Sequence, residues 1–472
     1  MRIEKDKIGE VNIKSDKLYG INTARALTNF PDSGEKCNTY LIKAYLQVKL
    51  ASANANFKCG LLKPDIYSFI IKSIESLLGE INSEISGTKS SIFDKIVVDP
   101  YQGGAGTSLN MNINEVIANS ALLEMDKKIG EYNIVHPLDH VNLSQSTNDT
   151  FPTALKMSSI VLLREMQESF SQLQRELQTK EKEFSAILKL GRTQLQDAVP
   201  ISLGQEFGAF AQAIARDRWR FYNAEERLRS VNLGGTAVGN SIATSNKYVL
   251  SVVNELRDIC GLPIAKAEDL FENTQNLDVF VEVHGIIKAG ATTLIKYCND
   301  LRLLSSGPDG GIGEILLPSN QVGSTIMPGK INPVILENTI QLCELVKGND
   351  VVISNLVSSG NLELNQFLPM IAHLFLKSLT ILRDCTINLK DKCIIGIKAN
   401  KKKCIENLIN SKAIAATLIP VFGYDKVTEA VKIAEEDGKK FLDVVREKLK
   451  LSDKEIFEII EKELGITIDF NT

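Results

Sequence analysis

No CxxC pair occurs among the eight cysteines, Cys37, Cys59, Cys260, Cys298, Cys343, Cys385, Cys393 and Cys404. Thiols so few and scattered in 472 residues make no disulfide framework. Most sit among helix-like apolar neighbours and read as buried free thiols. Histidine is scarce, with four in the chain. His136 and His140 stand four apart, but Pro137 between them argues against a shared helical face, and no third ligand lies nearby, so no metal site is expected. Apolar runs are short of the roughly 18 residues that span a bilayer. The start, Met1-Arg2-Ile3-Glu4-Lys5-Asp6, has no apolar signal core. Basic blocks are missing too, and a net charge of -4 leaves no electrostatic footprint for nucleic acid. These absences predict a soluble, cytoplasmic protein with neither nucleic acid nor membrane as partner.

Helix is what the chain has in quantity. Its length and its 44% apolar content allow a large core and more than one domain. From Thr153 to Leu190 there is neither Gly nor Pro. Within that stretch the apolar series Ile160, Leu163, Met166, Phe170, Leu173, Leu177 and Phe184 advances at nearly a 3.5-residue repeat. That spacing predicts one long bundle helix. Further long helices are expected from about Leu203 to Leu233, from Asp278 to Leu304, and after Asn332-Pro333, where Asn332 can cap and Pro333 fits a first turn. Strand signals are weak. A short hairpin is possible between Ile3 and Tyr19, and the lack of alternating strands and helices argues against a doubly wound sheet. Helices this long need partners for their apolar stripes, which self-association would supply. The last ~75 residues read as shorter helices split by Pro420, Gly423 and Gly438, a small C-terminal domain.

Four polar segments carry the chemistry. Gly323-Ser324-Thr325-Ile326-Met327-Pro328-Gly329-Lys330-Ile331-Asn332-Pro333 combines a glycine hinge, two hydroxyls, a lysine and an asparagine, as a lid over a small carboxylate would. Gly103-Gly104-Ala105-Gly106-Thr107-Ser108 offers backbone donors and hydroxyls to an anion, with a helix expected near Asn112; alone, it reads equally as a capped structural turn. Ser144 to Pro152 opens the longest helix with more polar residues than a cap needs; alone, it reads equally as plain capping. Gly191 to Pro200 reads, alone, as a loop whose Arg192 and Asp197 pair. Together they supply neutral donors and one lysine, an inventory suited to a dicarboxylate. Neither a Ser/His/Asp order nor a pair of acid/base carboxylates emerges.

These segments resemble the aspartase/fumarase superfamily. The Ser324 loop follows the family pattern G-S-S-x-M-P-x-K-x-N-P, with Thr325 for the second serine. Tyr19-Gly20-Ile21-Asn22-Thr23-Ala24-Arg25-Ala26 is similar to its Y-G-x-x-T-x-R-A element, and Gly396-Ile397-Lys398-Ala399-Asn400 and Gly423-Tyr424 also fit. Ser146-Thr147-Asn148 and Thr193-Gln194-Leu195-Gln196-Asp197 look like the aspartase branch, since fumarases usually carry histidine where Gln194 stands.

The resemblance implies a mainly α, three-domain fold, with an N-terminal domain over 1–141, a central long-helix bundle over 142–397 and a small helical domain over 398–472. It implies a homotetramer that shares the bundle, each active site drawing on three subunits. The implied reaction is anti elimination of ammonia from L-aspartate to give fumarate, with no metal or organic cofactor. By residue match Ser324 would be the base. Thr107, Ser146, Thr147 and Thr325 would hold the carboxylate beside C3, Lys330 and Asn332 the other carboxylate, and Asn148, Thr193 and Gln194 the amino group. Asn240, Ser241 and Ala243 depart from the family's usual T-G-L-N, and Leu138 stands where a secondary anion site often has Asn, which bears on substrate choice. The alternatives are a fumarase or a lyase for a related amino acid, and a catalytically silent helical assembly protein.

Overall fold

A computed structural model describes residues 1–467. The protein is mainly α, as expected. Its described strands form four two-stranded sheets. Five long helices, Thr147–Glu183, Leu203–Leu228, Asp278–Leu304, Val334–Val357 and Leu368–Lys392, dominate the middle of the chain. The apolar series that predicts the first of them is buried throughout, from Ile160 to Phe184. That helix starts six residues before Thr153, with Pro152 in its second turn, where the Asn148 carbonyl that loses the proline's N–H accepts Asn232 Nδ2 at 3.0 Å instead. It stops at Glu183, so the residues up to Leu190 leave the helix and enter a strand. The N-terminal hairpin is present, pairing Arg2–Lys5 with Glu10–Ile13 in antiparallel register.

The chain divides into two compact units. The first comprises Met1–Gln167, Arg220–Lys288 and Leu345–Ile381. Its helices Thr39–Lys58, Pro64–Ile85 and Thr107–Glu124 bury Tyr45, Ile74 and Ile113 completely. Glu115, in the last of these, accepts the backbone N–H groups of Gly20, Asn22 and Thr23 and the Thr23 hydroxyl, and so caps the helix Ile21–Asn29 from outside.

The second unit comprises Glu168–Trp219, Ala289–Glu344 and Leu382–Thr472. Its C-terminal helices Lys401–Ile409, Ala415–Phe422, Tyr424–Glu436, Phe441–Leu449 and Asp453–Leu464 surround a core of Leu408, Leu418, Val427, Val444 and Ile460. Leu188 and Leu190 join that core, so a strand rooted there carries the Thr193-Gln194 segment. No described helix is long and apolar enough to cross a membrane. All eight cysteines are free, and six of them are buried.

Candidate active site

In the first unit the helix Thr107–Glu124 begins at Thr107 rather than near Asn112. The turn before it explains the early start. Gly104, Ala105 and Gly106 all have left-handed backbones, with φ of 83°, 58° and 94°. A Cβ on Gly106 would lie 2.2 Å from the ring of Phe151, so both conformation and space require glycine there. The turn leaves Thr107 exposed at the helix start. Asn112 is buried within the helix and ties it to Val97 and Lys95 instead.

Ser146, Thr147 and Asn148 open the helix Thr147–Glu183. Each is held differently. The Ser146 hydroxyl accepts the Asn148 N–H at 3.2 Å. The Thr147 hydroxyl accepts the side-chain N–H of Asn110 at 2.9 Å, leaving its own proton to donate. Asn148 donates its side-chain N–H to the carbonyl of Ala237 at 2.7 Å. Thr147 is thereby joined, through Asn110, to the helix that Thr107 begins.

Behind this turn lie two buried ionisable groups. Lys49 donates to Asn142 Oδ1 at 3.0 Å and Gln145 Oε1 at 2.9 Å. Burial pushes its ammonium down to about 7, against the opposing charge of Asp149. Burial likewise pushes Asp149 up to about 7, although backbone N–H groups of Ser146, Thr236 and Gly234 favour its carboxylate. Sequence reasoning assigns no role to Asn110 or Lys49, yet both carry a signal. Asn110 and Asn114 stand four apart on a helix that buries five polar side chains, Asn112, Glu115 and Asn119 among them, and Lys49 interrupts the apolar face of its own helix.

The second unit holds Thr193 and Gln194. The segment expected to be a loop is an antiparallel hairpin, Leu188–Thr193 with Gln196–Ser202. Gln194 and Leu195 form its tip with φ of 53° and 62°. Left-handed conformations at both central residues define a type I′ turn, the geometry that suits two-residue hairpins. Thr193 and Gln194 are exposed at this tip. Contrary to expectation, Arg192 does not pair with Asp197. It pairs with Glu314, through two bonds of 3.1 and 3.0 Å. Asp197 sits opposite Arg192 in the register, yet Glu314 is fully buried and a carboxylate there demands cations. Lys189 is its second cation, at 3.0 Å, and Asn407 also donates to it.

The Ser324 loop, in the same unit, closes on itself. The Gly323 N–H donates to the Lys330 carbonyl at 2.9 Å, and Asn332 Nδ2 donates to the Gly323 carbonyl at 2.6 Å. A Cβ on Gly323 would meet the Lys330 carbonyl oxygen at 2.5 Å, so this closure needs glycine. Asn332 therefore ties the two ends of the loop with its side chain and does not cap the following helix, which begins at Val334. Inside the loop, Ser324 Oγ accepts the N–H groups of Ile326 at 3.2 Å and Met327 at 2.9 Å. Two donors aimed at one hydroxyl oxygen favour its deprotonated form. Thr325 and Lys330 are exposed. Lys330 and Asn332 line a cavity of about 440 Å³ with Arg302, Ser305 and Ser306, a lining that holds two cations and no carboxylate. Among the described residues, no hydrogen bond links this loop to Thr193 or Gln194.

The lyase family model matches residues 9–348. The chain is 41% identical over 465 residues to an aspartate ammonia-lyase of Helicobacter pylori, covering 98% of this chain and 97% of that one. It is 39% identical to the aspartate ammonia-lyase of Bacillus subtilis, with 96% and 94% covered. The chain belongs to the aspartase/fumarase superfamily of lyases. Among solved structures it is similar to a fumarate lyase:delta crystallin from Brucella melitensis bound to cobalt, at 40% identity and a TM-score of 0.91, with 98% and 99% covered. It is also similar to a class II fumarase from Schistosoma mansoni, at 30% identity and a TM-score of 0.88, with 97% and 98% covered.

Proposed function

We propose that this lyase is an aspartate ammonia-lyase, which eliminates ammonia from L-aspartate to give fumarate. One observation carries the chemistry: a serine hydroxyl that receives two backbone N–H groups inside a self-closed loop that also bears Lys330 and Asn332. The full-length likeness to aspartate ammonia-lyases supports the choice of substrate.

Ser324, as an alkoxide, takes a proton from C3. The electron pair left on C3 spreads into the adjacent carboxylate as an enediolate. It then forms the C2–C3 double bond as the C–N bond breaks, and the electrons of that bond leave with nitrogen as NH3. The α-ammonium already carries its protons, so no acid is needed at the leaving group. The Ile326 and Met327 N–H groups lower the cost of the Ser324 alkoxide, and Lys330 adds a positive charge nearby. Thr107, Ser146, Thr147 and Thr325 hold the carboxylate beside C3. Lys330 and Asn332 hold the other carboxylate. Asn148, Thr193 and Gln194 face the amino group. Residues of this chain suffice for every step, and the reading assigns no metal or organic cofactor.

The site is shared in this reading. Three subunits of a homotetramer contribute the Thr107/Ser146 region, the Gln194 hairpin and the Ser324 loop. Large apolar side chains exposed on the long helices support this assembly, among them Trp219, at 67% exposure, Tyr222, Leu303, Leu345 and Val351. The three-domain division at 141 and 397 and a cytoplasmic location belong to the same reading. Its test is the rise of fumarate absorbance with L-aspartate, set beside the same assay with L-malate. Turnover of malate alone would move the protein to the fumarase reading, and silence with both would leave a helical scaffold.

A further inference from the structure

Asp149 is buried completely, lies beside Asn148 in the chain and takes no part in the reaction outlined above. Its two oxygens reach two different segments. Oδ1 accepts the Ser146 N–H at 3.0 Å. Oδ2 accepts the N–H groups of Gly234 at 3.1 Å and Thr236 at 3.0 Å. The second segment then returns to Asn148, because Ala237 offers its carbonyl to Asn148 Nδ2 at 2.7 Å and Asn232 Nδ2 donates to the Asn148 carbonyl at 3.0 Å.

Thr236 shows that this loop is held against a local cost. It is a β-branched residue with φ of 58°, and its buried hydroxyl has no hydrogen-bond partner. Such a conformation is a genuine outlier for threonine and persists only where its surroundings impose it. The Asp149 carboxylate on its N–H is one such restraint.

The consequence is chemical. A carbonyl oxygen can face only the NH2 end of an amide, so Ala237 commits Asn148 Nδ2 and leaves Oδ1 for the substrate. An alkylammonium is donor-only, and Oδ1 is acceptor-only. We propose that Asp149 is a positioning residue for ammonia recognition: by clamping the 234–237 loop it fixes the Asn148 amide with its oxygen toward the substrate nitrogen. The inference rests on the aspartate ammonia-lyase reading. The carboxylate side meets Asp149 through one contact, the Ser146 N–H, and has its own anchors besides: Thr147 is held by Asn110 and the Ser146 carbonyl by the Thr150 hydroxyl at 2.8 Å.

The test uses the full chain in the addition direction, where ammonia and fumarate are varied separately. Asp149→Ala removes all three acceptor contacts, and Asp149→Ser is a second variant that leaves room for a water. The clamp predicts that KM for ammonia rises by about tenfold or more while KM for fumarate changes by less than about threefold. Equal rises in both constants mean general loosening and overturn the proposal, as does an unchanged KM for ammonia. If neither variant folds, Asp149 is a structural residue and the proposal fails. A wild-type protein that adds no ammonia to fumarate defeats the underlying reading instead, so the two failures are distinct.

Discussion

The hydroxyl oxygen of Ser324 accepts the backbone N–H of Met327, three residues on, at 2.9 Å. The loop therefore supplies its own stabilisation for a negative serine oxygen, before any partner segment arrives. Ser324→Ala should leave secondary structure and unfolding midpoint near wild type, because the side chain makes no other described bond than those to Ile326 and Met327. It should remove nearly all turnover. A variant that keeps more than about a tenth of wild-type kcat, a loss below ~1.4 kcal/mol of transition-state stabilisation, would show that Ser324 is not the base.

Lys330 lies on the same loop, exposed and lining a cavity with no carboxylate to neutralise it. Lys330→Ala should raise KM for aspartate strongly, since a substrate carboxylate loses its counter-charge. Steady-state kinetics with an unchanged KM would rule out the binding role.

Gly106 tests the first unit. Its φ of 94°, and a Phe151 ring 2.2 Å from where a Cβ would stand, leave no room for a methyl group. Gly106→Ala should cost about 1–3 kcal/mol of stability through overpacking, measured by denaturant unfolding. Phe151 must shift, or the turn that delivers Thr107 must, so KM should rise as well. A variant with wild-type stability would mean that the turn is not held against Phe151.

Much of the fold is legible in the sequence. The buried repeat from Ile160 to Phe184 marks the long helix because one apolar stripe recurs at helical spacing. The polar run from Ser144 to Pro152 marks where that helix opens, and its excess over what a cap needs goes into bonds to other segments, as Asn148 to Ala237 and Asp149 to Gly234 and Thr236 show. The hairpin at Gln194 is not legible. Type I′ turns are signalled by Asn-Gly or Asp-Gly, and here Gln194 and Leu195 adopt the left-handed conformation without that chemistry. Gly191 conceals the strand further: a Cβ there would lie 2.6 Å from the Val199 carbonyl oxygen, and the register shifts between Leu190 and Arg192. The partner of Arg192 is hidden for a different reason. Asp197 is near in sequence, whereas Glu314 lies 122 residues away, and only its burial makes it the stronger claimant. Asn332 reads as a cap from its place before Pro333, but its amide closes the Ser324 loop, a role that only the folded loop reveals.

Glu314 offers a stability test that bears on the hairpin. Glu314→Gln keeps the shape but removes the charge that faces Arg192 and Lys189. Lys189 retains Glu206, with bonds of 3.0 Å, while Arg192 loses its buried counter-charge. Breaking such a pair from one side should cost about 3–5 kcal/mol, seen as a lower midpoint in denaturant. Loss of turnover should accompany it, because Arg192 adjoins Thr193. An unfolding midpoint equal to wild type would show that Glu314 does not anchor the hairpin.

The central claim is the identity of the leaving group, and the ratio of kcat/KM for L-aspartate to that for L-malate tests it most directly. Gln194 cannot serve as a general acid at neutral pH, as histidine can. Ammonia leaving from an ammonium needs no such acid, whereas hydroxide leaving from malate does. The account predicts turnover of aspartate far above that of malate. A kcat/KM for malate equal to or greater than that for aspartate would contradict it.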